Sequence, residues 1–358
     1  MTPFDHVMPD AVESALADIG RAPLPTPDSA RFLAGGTNLL DLMKADLTRP
    51  TRLVDVHRLP LKAIEPTADG GLSLGAMATN AETAAHPLVR SRHPLLAAAI
   101  LAGASPQIRN MATNGGNLLQ RTRCSYFYDA KVPCNKREPG SGCPARNGLA
   151  KQLAILGSSE QCIATHPSDF CVGLAALDAT VHVRSQRGSR RIPMLQFHRL
   201  PGDRPELDTE LAPDELITHI TLPPAPFTRH TTYLKLRERA SYAFALVSVA
   251  AALQLDERGR ITEARIALGG VAHKPWRLPE AEALLQGREA TPAAFGEAAR
   301  RLLQGAQAHG APGTDNAFKI PLAERAVVRA LELAVAGELT NTGPLAGLPV
   351  DSVRREPS

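Results

Sequence analysis

Two doubled glycines, Gly35-Gly36 and Gly115-Gly116, stand at junctions between periodic segments, and they constrain this chain more than any other feature. Around the first, "ARFLAGGTNLLDLMKADL" reads as a buried strand, a tight turn and a helix carrying Leu39, Leu40, Leu42 and Met43 at helical spacing. Glycine tolerates positive φ, and the absent Cβ lets backbone N–H groups approach an anion closely. The second, "MATNGGNLLQ", adds Thr113 and Asn117 as neutral hydrogen-bonding groups with no Walker lysine beside them. A single doubled glycine signifies no more than a tight turn. Two neutral nests in one chain suit a dinucleotide whose diphosphate is wrapped by backbone rather than clamped by charge. Neither is a G-x-G-x-x-G fingerprint, which disfavours the ordinary nicotinamide-binding fold.

The 358 residues exceed what one ordinary core supports. Net charge is +4, with basic and acidic residues interleaved, and aromatics make up only 4%, which argues against a nucleic-acid stacking surface. "MTPFDHVMPDAVESALADIG" lacks a basic n-region and an apolar h-region, and no run of 18 apolar residues occurs, so the chain is expected to carry no export signal or membrane span of its own. The 30 prolines punctuate many short elements. A helix is predicted at about 10 to 20, strands at "RLVDV" and "GLSLGAMATN", a short helix from Ala81 capped by Asn80, and a longer apolar helix in "HPLLAAAILAGASPQIRN". "LAILGSSEQCIAT" has a strand pattern, and "HPSDFCVGLAALDATVHV" reads as a Ser168-capped helix followed by a strand. From about 227, "HTTYLKLRER", "SYAFALVSVAAALQL" and "TEARIALGGV" are three consecutive strands, followed by helices near 279 to 286, 291 to 306 and 321 to 337. That order predicts an α+β organisation: a first domain over 1–226 in subdomains of about 1–58 and 59–226, a separate domain over 227–338, and a flexible tail over 339–358.

Cys124, Cys134 and Cys143 fall in the loop "QRTRCSYFYDAKVPCNKREPGSGCPARNG", and Cys162 follows, giving C-x9-C-x8-C-x18-C. Four thiolates complement one [4Fe–4S] cubane. Zinc also takes four cysteines, but its usual C-x₂₋₄-C knuckles are absent. Disulfides would need an oxidising compartment, and unrelated thiols are the fourth reading. On the residues alone all four stay open. Arg121, Arg123, Lys131, Lys136, Arg137, Arg146 and Lys151 outnumber Asp129 and Glu138 here, a surround that suits an anionic cluster. A solvated, mobile loop is the bland alternative, and it leaves the stiffening prolines and cysteines unexplained. Cys171, among Phe170, Val172 and Leu174, reads as a buried small hydrophobe, and His166 and His273 as structural.

Taken together, "FLAGGTNLL", "ATNGGNLLQ", "HPSD" and "YLKLRERASYAFALVSVA" resemble the FAD-binding subunit of the molybdenum hydroxylases, the family of xanthine dehydrogenase, carbon monoxide dehydrogenase and aldehyde oxidoreductase, from about residue 3 to about 337. The resemblance implies a vanillyl-alcohol-oxidase-like (PCMH-type) flavin domain in two subdomains, then a C-terminal three-stranded antiparallel sheet with a helical bundle. It places Phe32, Leu33, Ala34, Gly35, Gly36, Thr37, Asn38 and Leu39 in the first FAD loop and Ala112, Thr113, Gly116, Asn117 and Leu119 in the second. Ser168 and Asp169 would meet ribityl or ribose hydroxyls, and Lys235 would lie near the isoalloxazine. The cysteine loop resembles an insertion found in periplasmic aldehyde oxidoreductase and 4-hydroxybenzoyl-CoA reductase, which implies that Cys124, Cys134, Cys143 and Cys162 hold a [4Fe–4S] cluster.

No C-x₄-C-x₂-C run or molybdenum site is evident, so the chain reads as one subunit with no catalytic acid, base or nucleophile of its own. The resemblance supplies the rest: a molybdopterin-binding large subunit, a small subunit with [2Fe–2S] clusters, and an external electron acceptor that drains FAD. The expected overall reaction is aldehyde oxidation. The alternatives are a 4-hydroxybenzoyl-CoA reductase-like flavin subunit and a non-enzymatic flavin- or zinc-binding module. Lacking its own signal, the subunit would be periplasmic by co-export with a signal-bearing partner, or otherwise cytoplasmic.

Overall fold

A computed structural model describes residues 1–21, 30–225, 227–337 and 339. Of the tail expected over 339–358, all but residue 339 lies outside the described residues.

The chain opens with β1 (Asp5–Val7), α1 (Val12–Gly20), β2 (Ala30–Leu33), α2 (Leu39–Lys44) and β3 (Arg52–Asp55), which build a parallel sheet in the order β1-β3-β2. Its strands are too short to make a large core, and α1 closes one face with Val12, Ala15, Leu16 and Ile19. After β4 (Ile64–Pro66) and β5 (Leu72–Gly75) come seven short helices, α3 (Asn80–Ala85), α4 (Pro87–Arg92), α5 (Pro94–Ala102), α6 (Pro106–Arg109), α7 (Asn114–Leu118), α8 (Ser125–Tyr128) and α9 (Asp169–Ala176). Then β6 (Thr180–Ser185), β7 (Gly188–Pro193), α10 (Met194–Phe197) and β8 (Leu216–Leu222) complete a five-stranded sheet ordered β4-β5-β8-β6-β7. Helices α5 and α9 are apolar on nearly every face because they are sandwiched between this sheet and the next.

The third unit pairs β9 (His230–Leu236), β10 (Val247–Leu255) and β11 (Ile261–Gly269) antiparallel in the order β11-β10-β9, with α11 (Pro279–Ala283), α12 (Pro292–Leu302) and α13 (Lys319–Ala336). β10 is buried along almost its whole length: its alternate residues face α5 and α9 on one side and α12 and α13 on the other. This is the α+β architecture expected, with a three-stranded antiparallel sheet and helices at the C-terminal end. No helix among the described residues is long and apolar enough to cross a membrane.

Three local readings are corrected. Thr79, not Asn80, caps α3: its hydroxyl accepts from Glu82 N and Glu82 reaches back to Thr79 N, a complete capping box. The second glycine segment is the short helix α7, opened by Thr113, whose hydroxyl accepts from Gly116 N. "LAILGSSEQCIAT" forms no strand, because Gly157 turns the chain at φ +58°. The segment folds back so that Ala154 N meets Ile163 O and both Ile155 N and Leu156 N meet Val271 O.

That segment is also held from the C-terminal bundle. Lys319 is fully buried, donates to Leu153 O and Gly270 O, and has its pKa pushed by burial down to about 7. A lysine whose folded pKa is lowered binds fewer protons in the native than in the unfolded chain between about pH 7 and its ordinary value of 10.5. Stability therefore gains with rising pH across that window. In denaturant titrations, Lys319→Met should flatten the slope of unfolding free energy against pH between 7 and 10; an unchanged slope would refute the buried-charge account.

Candidate flavin and cysteine sites

The two glycine segments meet. A Cβ built on Gly35 would lie 1.9 Å from Met111 O, so only glycine lets the first loop lie against the segment leading into α7. Gly36 has φ +69°, and the Gly36 carbonyl accepts from Leu40 N at the entrance to α2. Ala34 sits just across from Gly116, where a Cβ would be 3.9 Å from its own. Phe32 packs with Ala34 into the core under the first sheet, and the carbonyl of Leu33 accepts from Val56 N. Thr37 and Leu39 are half-buried at the entrance to α2. Asn38 turns toward the cysteine loop, where its Oδ1 accepts from Arg121 N at 2.8 Å. In the second loop Ala112 O accepts from Asn80 N and Leu119 is exposed. Asn117 Oδ1 accepts from Ser168 Oγ (2.6 Å) and from Gln120 Nε2 (2.6 Å), which ties the second loop to the start of α9.

Ser168 caps α9 by accepting from Cys171 N at 3.1 Å, and Asp169 follows in the first turn. Asp169 is buried, yet it is satisfied: Oδ2 accepts from Lys235 Nζ at 2.7 Å and Oδ1 from the Tyr233 hydroxyl at 2.7 Å. Lys235 Nζ also donates to Ala102 O, 3.0 Å away. Burial, reinforced by the Asp169 charge, holds the Tyr233 phenol well above its usual pKa, so it remains a donor. A carboxylate has more acceptor sites than these two bonds use. Tyr233 was missed in the sequence, although β-strand alternation places residues 233 and 235 on one face. Lys235, Ser248 and Gly269 form one cross-strand row, and a Cβ at Gly269 would come 2.4 Å from Ser248 Oγ.

Ser248 and Gly269 of this row line an open pocket together with His166, Ser168, Asp169, Arg123, Cys124 and Phe244. The Arg123 guanidinium stacks 5.1 Å from the Phe244 ring centroid. A second pocket, of about 310 Å³, shares Cys124 and is lined by Cys124, Cys134, Cys143 and Cys162 together.

The cysteine segment is not a solvated loop. It has its own small core of Phe127, Ala145, Ala150, Leu153 and Ile163, joined by Leu42. All five cysteines are free thiols. Burial raises the Cys124 thiol to about 11 and the Cys162 thiol to about 12, and it raises Cys143 as well, with neighbouring cysteines adding to each shift. Among the described residues, the one trio of His, Cys, Asp or Glu ligand atoms within 4.8 Å of one another is His166, Cys171 and His198. The four loop cysteines are thus spread more widely than the ~3.8 Å sulfur separation implied by four Zn–S bonds of ~2.3 Å. All four thiols line one pocket, and four thiolates are a donor set that a metal group can take.

The His166, Cys171 and His198 cluster is core packing. His198 Nε2 lies 2.8 Å from Leu118 O and donates to it, and His166 Nδ1 accepts from Ser168 N at 3.4 Å, which leaves the His166 proton on Nε2 and no lone pair there. Cys171 is fully buried, as its sequence neighbours imply.

The sequence matches the family described as the FAD binding domain in molybdopterin dehydrogenase over residues 2–225. The chain belongs to that family. Residues 232–334 match the carbon monoxide dehydrogenase flavoprotein C-terminal domain. The chain is similar to the aldehyde oxidoreductase FAD-binding subunit PaoB of Escherichia coli, at 51% identity over 86% of this chain and 92% of that one. It is also 28% identical to the 6-hydroxypseudooxynicotine dehydrogenase complex subunit alpha of Paenarthrobacter nicotinovorans, over 79% of this chain and 77% of the relative. Among solved structures, a carbon monoxide dehydrogenase chain from Hydrogenophaga pseudoflava superposes with a TM-score of 0.71 at 26% identity, covering 94% of this chain and 98% of that one. The FAD-binding domain is thus established by family, and the protein is an oxidoreductase component.

Proposed function

We propose that this chain is the electron-transfer subunit of a molybdenum-dependent aldehyde oxidoreductase, holding FAD between the two glycine segments and a [4Fe–4S] cluster on Cys124, Cys134, Cys143 and Cys162. The observation that carries the reading is the 51% identity, along nearly the whole relative, to a subunit named for aldehyde oxidoreductase. The arrangement of two neighbouring pockets that share Cys124 supports it. Bound FAD and an iron–sulfur cluster supply electron transfer, and the protein's part is to position and insulate them.

Each group of residues has a task in that reading. Residues 32–39 and 112, 113, 116, 117 and 119 present their backbone to the diphosphate, with Gly36 and Gly116 shaping the two loops. Ser168 and Asp169 accept from flavin hydroxyls, and Lys235 holds Asp169 in place while bringing positive charge close to the ring. The four cysteines give up their protons on ligation, since a metal-bound thiol is deprotonated. Partners are a molybdopterin-binding large subunit and a [2Fe–2S] small subunit, and an external acceptor takes the electrons from FAD. Location is the periplasm by co-export with a signal-bearing partner, or otherwise the cytoplasm.

The test is co-expression of the three subunits with an aromatic aldehyde and a reducible dye. Turnover is expected only from the complete complex, and substantial aldehyde oxidation by this chain alone would refute the reading. Iron and sulfide analysis addresses the cluster: serine at any of Cys124, Cys134, Cys143 or Cys162 should remove one cubane's worth of iron, whereas Cys171→Ser should keep it. Zinc without iron in the wild-type chain would overturn that part.

A further inference from the structure

The positive charges of the cysteine loop are not equivalent. Arg137 donates to the carbonyls of Tyr126 and Phe127, each at 2.6 Å, and to that of Val132. Arg146 donates to Ser159 O at 2.6 Å and to Glu160 at 2.8 Å. These arginines lace the loop's own backbone, and Lys131 and Lys151 are exposed. Lys136 differs. Its side chain is only 1% exposed, and it is the one lysine or arginine lining the four-cysteine pocket among the described residues.

Its ammonium has three donors, and the structure gives it three acceptors: Asp208 Oδ1 at 2.5 Å, Pro205 O at 2.7 Å and His273 Nε2 at 2.7 Å. An ammonium cannot accept, so His273 Nε2 must carry the lone pair. The ring proton then sits on Nδ1, which donates to Arg199 O at 2.8 Å. The other Asp208 oxygen accepts from Arg121 Nε at 2.7 Å. Burial alone would raise the Asp208 carboxyl, but the charges of Arg121 and Lys136 outweigh it and hold the group well below the usual carboxylate range. The arm between Cys134 and Cys143, the 205–208 segment and His273 of the C-terminal unit thus meet at one buried nitrogen, and Arg121 joins through Asp208.

We propose that Lys136 is the positioning residue of the cysteine pocket, pinning the Cys134–Cys143 arm to both domains and supplying the buried positive charge that sets how readily a cluster held there accepts an electron. This rests on the assignment of the four cysteines to a [4Fe–4S] cluster. Reduction adds one negative charge to an already anionic group, and a fixed positive charge in a poorly polarisable wall favours that state. Without Lys136, Asp208 and Arg121 remain as a neutral pair, so the local charge falls by one. With Asp208 neutralised instead, Lys136 and Arg121 remain and the local charge rises by one. The two changes should therefore move the potential in opposite directions, which loosening of the loop alone does not do.

The experiment is a redox titration of the intact complex, following the [4Fe–4S] EPR signal separately from those of the partners' [2Fe–2S] clusters. Lys136→Met should shift the oxidised-to-reduced ratio at fixed poise at least tenfold toward oxidised, about 59 mV for a one-electron couple. Asp208→Asn should shift it toward reduced, and Lys136→Arg should stay closest to wild type. An unchanged potential in a cluster-replete Lys136→Met protein, or shifts of the same sign in the methionine and asparagine variants, would overturn the proposal. If Lys136→Met loses its cluster, the other two variants decide: a raised potential in Asp208→Asn with a near-native one in Lys136→Arg supports it, and any other pattern refutes it. Failure of the underlying cluster assignment looks different, because the wild-type complex would then show no [4Fe–4S] signal at all, and that too removes the proposal.

Discussion

Replacing Gly35 with alanine is expected to lower the flavin content of the purified chain at least tenfold. The added carbon would sit 1.9 Å from the carbonyl oxygen of Met111 and 2.8 Å from its carbon, both backbone atoms that cannot rotate away. The two segments that flank the proposed diphosphate site must then separate. Overpacking of this kind costs about 1–3 kcal/mol when neighbours can relax, and about 1.4 kcal/mol is already tenfold in affinity. Gly36→Asp should act by a second route, because it combines a left-handed φ of +69° with a Cβ only 2.9 Å from Leu40 Cδ1, and so disturbs the first loop itself. Gly296→Ala is the control: it lies inside α12, its Cβ would meet nothing within 4 Å but the end of the Arg300 side chain, and it should keep its flavin. Flavin absorbance per protein, on variants shown by circular dichroism to be folded, measures all three. Full flavin occupancy in Gly35→Ala would show that the close approach of the two segments is not what binds the cofactor.

How much of this was legible beforehand depends on the distance over which a residue acts. Local chemistry was readable: Ser168 as a cap, the three consecutive strands from about 227, and Cys171 as a core residue all follow from neighbours a few positions away. The capping box at Thr79 was equally readable, since Thr79 and Glu82 have the required spacing, but Asn80 competed for the role. The doubled glycines were seen as turns, whereas the reason for Gly35 lies in Met111, and that contact depends on how two distant segments register. Lys136 shows the same limit. In the sequence it is one of several cations in a basic loop, and nothing local separates it from Arg137. Its burial is decided by Asp208, Pro205 and His273, which the fold brings together from outside the loop. Strand patterning failed at 153–165 for a physical reason: apolar residues there are buried against Val271 and α13 without pairing in a sheet, and alternation records burial rather than hydrogen bonding.

The second large effect is expected at the Lys235–Asp169 pair, which joins β9 to the start of α9. The two side chains are 1% and 7% exposed and 2.7 Å apart. Lys235→Met removes the ammonium and leaves the carboxylate buried with the Tyr233 hydroxyl as its remaining close donor among the contacts described above. Breaking one side of a buried pair costs about 3–5 kcal/mol, because the surviving charge has no compensating partner. For a domain of this size that corresponds to a loss of roughly 10 °C in Tm. The double variant Lys235→Met with Asp169→Asn should recover part of the loss, since the second change removes the uncompensated charge; coupling of this kind is expected for residues in contact. Measuring Tm on flavin-free protein separates this structural effect from any contribution of bound cofactor. Flavin content then reports the other role: if the Asp169 carboxylate accepts from flavin hydroxyls, the double variant will be more stable than Lys235→Met yet poorer in FAD than the wild type. A Lys235→Met protein that melts with the wild type would show that the pair does not hold these elements together, and a flavin-replete double variant would remove Asp169 from the binding site.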